Sequence, residues 1–192
     1  MAFHAPIATG RSNTGIPTGR LAVWWLLASE VFIFGGLIAS YLLHRLNNEN
    51  WGEIAANTST PAGALNTFVL LTSSLFIVLA HAASERKDIA RTLKFIWLTI
   101  GCGGIFLVVK AYEYTTEISH GFVLTSNVFW SFYYTATALH ACHVIAGMFI
   151  MWMISHDVKI SKNLHRVELI GIYWHFVDLV WIFLFPLLYI AK

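Results

Sequence analysis

Charge is what this sequence has least of: Asp, Glu, Lys and Arg supply 11% of 192 residues, against roughly 25% in an average soluble domain. So little charge cannot clothe a water-facing surface, and with 57% hydrophobic residues the chain reads as an integral membrane protein. The formal net charge of +2 is too small and too scattered to serve nucleic acid, and no such partner is expected. Cysteine is nearly absent too. Cys102 and Cys142 lie far apart in apolar surroundings, which excludes a disulfide framework and a CxxC metal or haem-attachment motif, and leaves both as small core side chains. Residues 1 to 20 lack the pattern of a signal peptide, being polar and rich in Gly, Thr and Pro, so the first apolar run is expected to direct insertion. An internal repeat is also missing, which withholds support from a transporter built of inverted halves.

What is present is a set of long apolar runs. A hydrocarbon core of ~30 Å takes about 20 apolar residues as helix, and five segments meet or approach that: roughly 21–44, 65–82, 93–112, 127–155 and 168–190. Strand-period alternation is lacking and aliphatic residues fill consecutive positions, so helices are expected rather than a barrel. The fold class is therefore all-α: a single transmembrane domain, 1–192, forming a bundle of five membrane-spanning helices. Residues 45–64, with Asn47, Asn48, Asn50, Asn57, Ser59 and Pro61, carry loop chemistry, and 84–91 reads as a short charged turn. If residues 1–20 face the cytoplasm, that side holds Arg11, Arg20, Arg86, Lys87, Arg91, Lys94, Lys159, Lys162 and Arg166, and the other only Arg45, Lys110 and Lys192. This bias predicts an N-in, C-out topology. Gly35, Gly36 and Ser40, and Gly101, Gly103 and Gly104, are expected to mark faces of close helix approach. Eight Trp and fourteen Phe exceed what five helices can bury, so some rings should meet lipid or a partner.

Against this background the titratable residues stand out. Tyr173 to Trp181 reads YWHFVDLVW, placing His175 and Asp178 one turn apart within an apolar run, so both are expected on one face, turned from lipid toward protein. By helical rise, Glu30 lies ~14 Å, Asp178 ~15 Å and His143 ~16 Å from the cytoplasmic end of their spans. At least two of these three are expected to touch each other or ordered water. The plainer reading of His140, His143 and His175 is interhelical glue, each contact worth only about 0.6 kcal/mol. Glu30 is the sharper case, being a carboxyl beside Val31, Phe32, Ile33 and Phe34. His81, Lys110, Glu113 and Glu117 fall near predicted span ends, where anchoring at the interface by snorkelling to water is expected. Two self-sufficient functions compete with these readings. One is a membrane b-type cytochrome using His140, His143 and His175, which the ~11 Å difference in depth between His140 and His175 counts against. The other is an independent proton or ion pathway through Glu30 and Asp178. A zinc centre is not expected, because no tight His, Cys and carboxylate cluster projects from one segment.

Four strings in order resemble subunit III of the haem-copper terminal oxidases, the family shared by cytochrome c oxidases and quinol oxidases. They are LLASEVFIFGG around Glu30, KAYEY around Glu113, FYYTATALHACHVIAGM around His140 and His143, and YWHFVDLVWIFLFPLLYI around His175 and Asp178. The resemblance runs from about Arg20 to the C-terminus. It implies a non-redox subunit of a bacterial plasma-membrane respiratory complex, packed against subunit I, the catalytic chain, and other oxidase subunits. Haems and copper would reside in those partners, with no catalytic residue, cofactor or metal in this chain. It further implies bound phospholipid between helices, support of proton uptake by the neighbouring subunit, and protection of that subunit during turnover. Glu30 matches the family's buried glutamate in its S-E-V segment, His140 and His143 its paired histidines, His175 and Asp178 its W-H-F-V-D segment, and Glu113 its glutamate near an outer helix end. The first span aligns with the third helix of seven-helix members, so this chain is expected to resemble the short bacterial form, with another polypeptide supplying the missing wall of the lipid cleft.

Overall fold

The computed structural model describes residues 17–191, and it is helical almost throughout. Five helices are long and apolar enough to cross a bilayer: α1 (Thr18–Leu46), α3 (Thr60–Glu85), α4 (Ile89–Ser119), α5 (Val128–Lys159) and α6 (His165–Phe185), the last continuing to Ile190 as a π-helical turn. A short helix, α2 (Trp51–Ala55), interrupts the connection that the sequence suggests is wholly loop. The chain is thus a multi-pass membrane protein. The spans are 26 to 32 residues long, or ~39–48 Å, so their ends project well beyond the hydrocarbon core.

The helix ends follow from local chemistry. Asp88 caps α4 by accepting the Arg91 N–H at 3.0 Å, and Asn127 caps α5 by accepting the Trp130 N–H at 3.0 Å. α3, α4 and α5 each close with a paired reversal: Asp88 N–H to Ala83 O, Phe122 N–H to Glu117 O, and Lys162 N–H to Asp157 O, all at 2.9–3.0 Å. The residue at the left-handed position is Gly121 in one case, but Lys87 and Ser161 in the others. At Pro186 the missing N–H interrupts the α-helical ladder, and the chain widens so that Ala191 donates to Pro186 O, five residues back, at 2.8 Å.

α6 is the centre of the bundle, packed against α1, α3 and α5, while α4 sits across α3 and α5. Half of the most apolar stretch of α6 is buried, against 11% for α1. α1 is therefore the peripheral helix, and its Trp25, Phe32 and Leu43 face outward. Close approach does involve glycine, but mostly not at the positions suggested by the sequence. A methyl group added at Gly147 would meet the Trp174 ring at 2.9 Å, at Gly103 the Met148 sulfur at 2.8 Å, and at Gly63 the Phe185 ring at 2.8 Å. Gly35, Gly36, Gly101 and Gly104 have nothing within 4 Å. Adjacent glycines in a helix point in different directions, so a run of them cannot all face one neighbour.

Candidate functional site

Glu30 and His143 meet across α1 and α5. The His143 Nδ1–H donates to Leu139 O at 2.9 Å, which turns Nε2 toward Glu30. The Nε2–Oε2 separation is 3.0 Å, an ion-pair distance, although Glu30 Oε2 has no partner in hydrogen-bond geometry. Placement, not an aligned bond, holds this pair. Phe34 packs edge-on to the imidazole at 5.3 Å, one turn along α1 from Glu30, and Tyr173 of α6 donates to His143 O at 3.2 Å. Three helices therefore meet at His143, α1 at its imidazole and α6 at its backbone carbonyl.

The pair faces a groove between α1, α5 and α6. Two adjoining cavities, of about 380 and 440 Å³, share Leu26, Ile150 and Tyr173. The smaller holds Glu30, His143 and Cys142, and the larger runs past Val23, Met153 and Leu169 to Asp157 and Arg166. Arg166 donates to Asp157 at 2.6 Å at that end, and nearby Arg20 pairs with Glu168, tying α1 to α6. An apolar trough with a charged mouth and one acid–imidazole pair at its inner end suits a long-chain amphiphile better than a polar solute.

Asp178 does not join this pair. It is buried on the side of α6 that faces α3, where Ser74 lies within reach but neither carboxyl oxygen has an aligned donor. His175 is more exposed, with Nδ1 2.6 Å from the Ser74 hydroxyl. The two residues share an edge, but the expected joint turn into the protein is not seen: one lies inside and the other at the rim. Positions three apart differ by about 60° around a helix, enough to separate them. His140 is fully buried between the Phe106 and Trp181 rings, at 5.4 and 5.2 Å, with neither nitrogen hydrogen-bonded. The three histidines thus turn to three different surroundings.

A second polar cluster corrects the expectation of snorkelling. Lys110, Glu113 and Glu117 are 3%, 2% and 3% exposed, deep inside the bundle. Lys110 Nζ donates to Glu113 Oε2 at 3.0 Å, to the Tyr189 hydroxyl at 2.8 Å and to the Tyr133 hydroxyl at 3.1 Å. The Tyr114 and Tyr133 rings lie 4.9 and 4.7 Å from the ammonium, adding cation–π attraction. Sequence reasoning missed Tyr133, Tyr189 and Tyr173 as partners. The 110, 113, 117 spacing was a visible sign of one helix face. Among the described residues, no group of three or more His, Cys, Asp and Glu converges in a metal-binding arrangement.

Comparison with known proteins bears on this arrangement. The sequence profile of the family described as cytochrome c oxidase subunit III matches residues 7–192. The chain is 36% identical to cytochrome c oxidase subunit 3 of Thermostichus vulcanus over 85% of its own length and 83% of the relative's. It is 35% identical to the protein of the same name from Corynebacterium diphtheriae, over 86% and 84%. It is also 30% identical to the heme-copper oxidase subunit I+III of Aeropyrum pernix, over 90% of this chain and 22% of that one.

Proposed function

Because this chain belongs to the cytochrome c oxidase subunit III family, we propose that it works as a non-redox support of subunit I in a bacterial plasma membrane. It is a haem-copper oxidase subunit; the finer roles are proposed from its own geometry together with the family resemblance. The observation that carries them is the Glu30–His143 pair at the inner end of the apolar groove. An acid and a base held 3.0 Å apart there place polarity where an acyl chain would end, so the groove holds phospholipid and the pair fixes how deep it reaches. This lipid stiffens the contact with subunit I and sustains proton uptake by that chain during turnover. The name of the Aeropyrum relative puts subunits I and III in one polypeptide, which supports direct packing of the two.

Oxygen reduction belongs to the complex, with haems and copper in the partner chains. Three histidines facing a carboxyl, a serine and two aromatic rings favour this reading over a self-contained cytochrome. The excess of cations on one side supports the N-in, C-out orientation. The test is Glu30→Gln in the intact oxidase. The haem spectra are expected to be unchanged, while the number of turnovers before inactivation falls severalfold. A complex that assembles fully yet loses a haem band would overturn the proposal, as would a Soret band in the isolated polypeptide that vanishes with His175→Ala.

A further inference from the structure

Away from the groove, the turn between α3 and α4 gathers charge of one sign. Residues 85–94 hold four cations, Arg86, Lys87, Arg91 and Lys94, against two carboxylates, Glu85 and Asp88. Both carboxylates are engaged locally. Asp88 caps α4 and lies 3.3 Å from Arg91 Nε, and Glu85 lies 3.7 Å from His81. Arg86, Lys87 and Lys94 are exposed and have no ion-pair partner among the described residues. Lys87 also occupies the left-handed position of the turn, φ 58°, where glycine would sit without strain.

Beside Arg86 and Arg91 lies a cavity of about 270 Å³. Arg86, Asp88 and Arg91 form its rim, and Leu79, Ala82 and Phe95 its floor. The floor is firm, since Phe95 stacks on Phe76 at 6.4 Å. Leu75 and Val78, both about half exposed, continue the apolar track along α3 away from the rim. A bare anion would gain nothing from that floor, and the apolar track along α3 suits hydrocarbon better than the polar surface of a soluble protein. A basic pocket between membrane helices, cationic above and apolar below, matches a lipid phosphate joined to hydrocarbon.

We propose that the α3–α4 turn is a binding site for an anionic phospholipid. Arg86 and Arg91 hold its phosphodiester, Lys87 and Lys94 add to the attracting field, and its first methylenes lie over Leu79 and Phe95. The site is separate from the groove beside Glu30 and rests on the membrane placement of the chain alone, whatever the subunit does for its partners.

The experiment uses the purified complex in nanodiscs of phosphatidylcholine doped with phosphatidylglycerol, with retained phosphatidylglycerol counted by native mass spectrometry. At about 1 kcal/mol per basic side chain, Arg86→Gln with Arg91→Gln is expected to weaken retention about thirtyfold. Ala82→Phe, which fills the floor and leaves the charge intact, is expected to lose the same lipid; it carries the test if the arginine variant fails to assemble. Lys159→Gln with Lys162→Gln, removing equal charge elsewhere on the same side, should retain it, and millimolar inorganic phosphate should not displace it. Undiminished retention in the arginine or Ala82 variant would overturn the proposal. Equal loss in the Lys159 and Lys162 control would reduce the effect to general surface potential, and displacement by phosphate would make it a simple anion site; either result also overturns it.

Discussion

At the scale of single residues, the strongest constraint is Lys110. A lysine 3% exposed within a membrane bundle holds its place through Glu113, Tyr133 and Tyr189 together. Lys110→Met should therefore destabilise the subunit by about 3–5 kcal/mol, because it strands Glu113 as an uncompensated buried carboxylate. Lys110→Met with Glu113→Leu should restore most of that loss. Thermal dissociation of the subunit from the purified complex reads both, and a double variant no better than the single would contradict this account of the pair. Part of this chemistry was legible in the sequence. Glu30 announces itself as an acid among Val31, Phe32, Ile33 and Phe34, and its depth matches that of His143, which it touches. Lys110 was misread because its shelter includes Tyr189, 79 residues away, delivered by a turn that no local pattern foretells.

At the scale of elements, the helices were plain from apolar run length, but their contact faces were not. Gly103 and Gly147 receive Met148 and Trp174, whereas Gly35, Gly36, Gly101 and Gly104 look onto open space. Sequence marks where small residues occur; which of them meets a neighbour depends on the rotation of each helix. This difference is measurable. Gly147→Ala should cost about 1–3 kcal/mol of subunit stability, since the Trp174 ring must shift. Gly35→Ala should be neutral or stabilise by up to about 1 kcal/mol, through helix propensity alone. Equal effects in thermal dissociation would mean that the close contact with Trp174 is not formed. The apolar runs also underestimated helix length: α4 continues to Ser119, with Glu113 and Glu117 turned to the interior and Thr115 and Ser119 exposed.

At the scale of the whole molecule, the orientation proposed from the cation bias has a direct check. With Cys102 and Cys142 replaced by alanine, Asn57→Cys should react with a membrane-impermeant maleimide in intact cells, and Lys87→Cys only after lysis. The opposite pattern would reverse the topology and move the basic turn to the outer leaflet. The bundle itself is uneven: α3 to α6 form a tight unit, and α1 lies against it through a few specific contacts. One of these contacts, together with two from the segment that follows α2, converges on the π-helical turn after Pro186. Tyr41 donates to Leu187 O at 2.7 Å, and the flanking Thr58 and Thr60 donate to Leu188 O and Tyr189 O at 3.3 and 3.1 Å. Those carbonyls lie 129 to 146 residues beyond the hydroxyls they receive. The first helix must therefore stay in the bilayer without this latch until the segment beyond Pro186 is made, and a nascent chain stalled before Pro186 would leave it more weakly held, open to quality-control proteases.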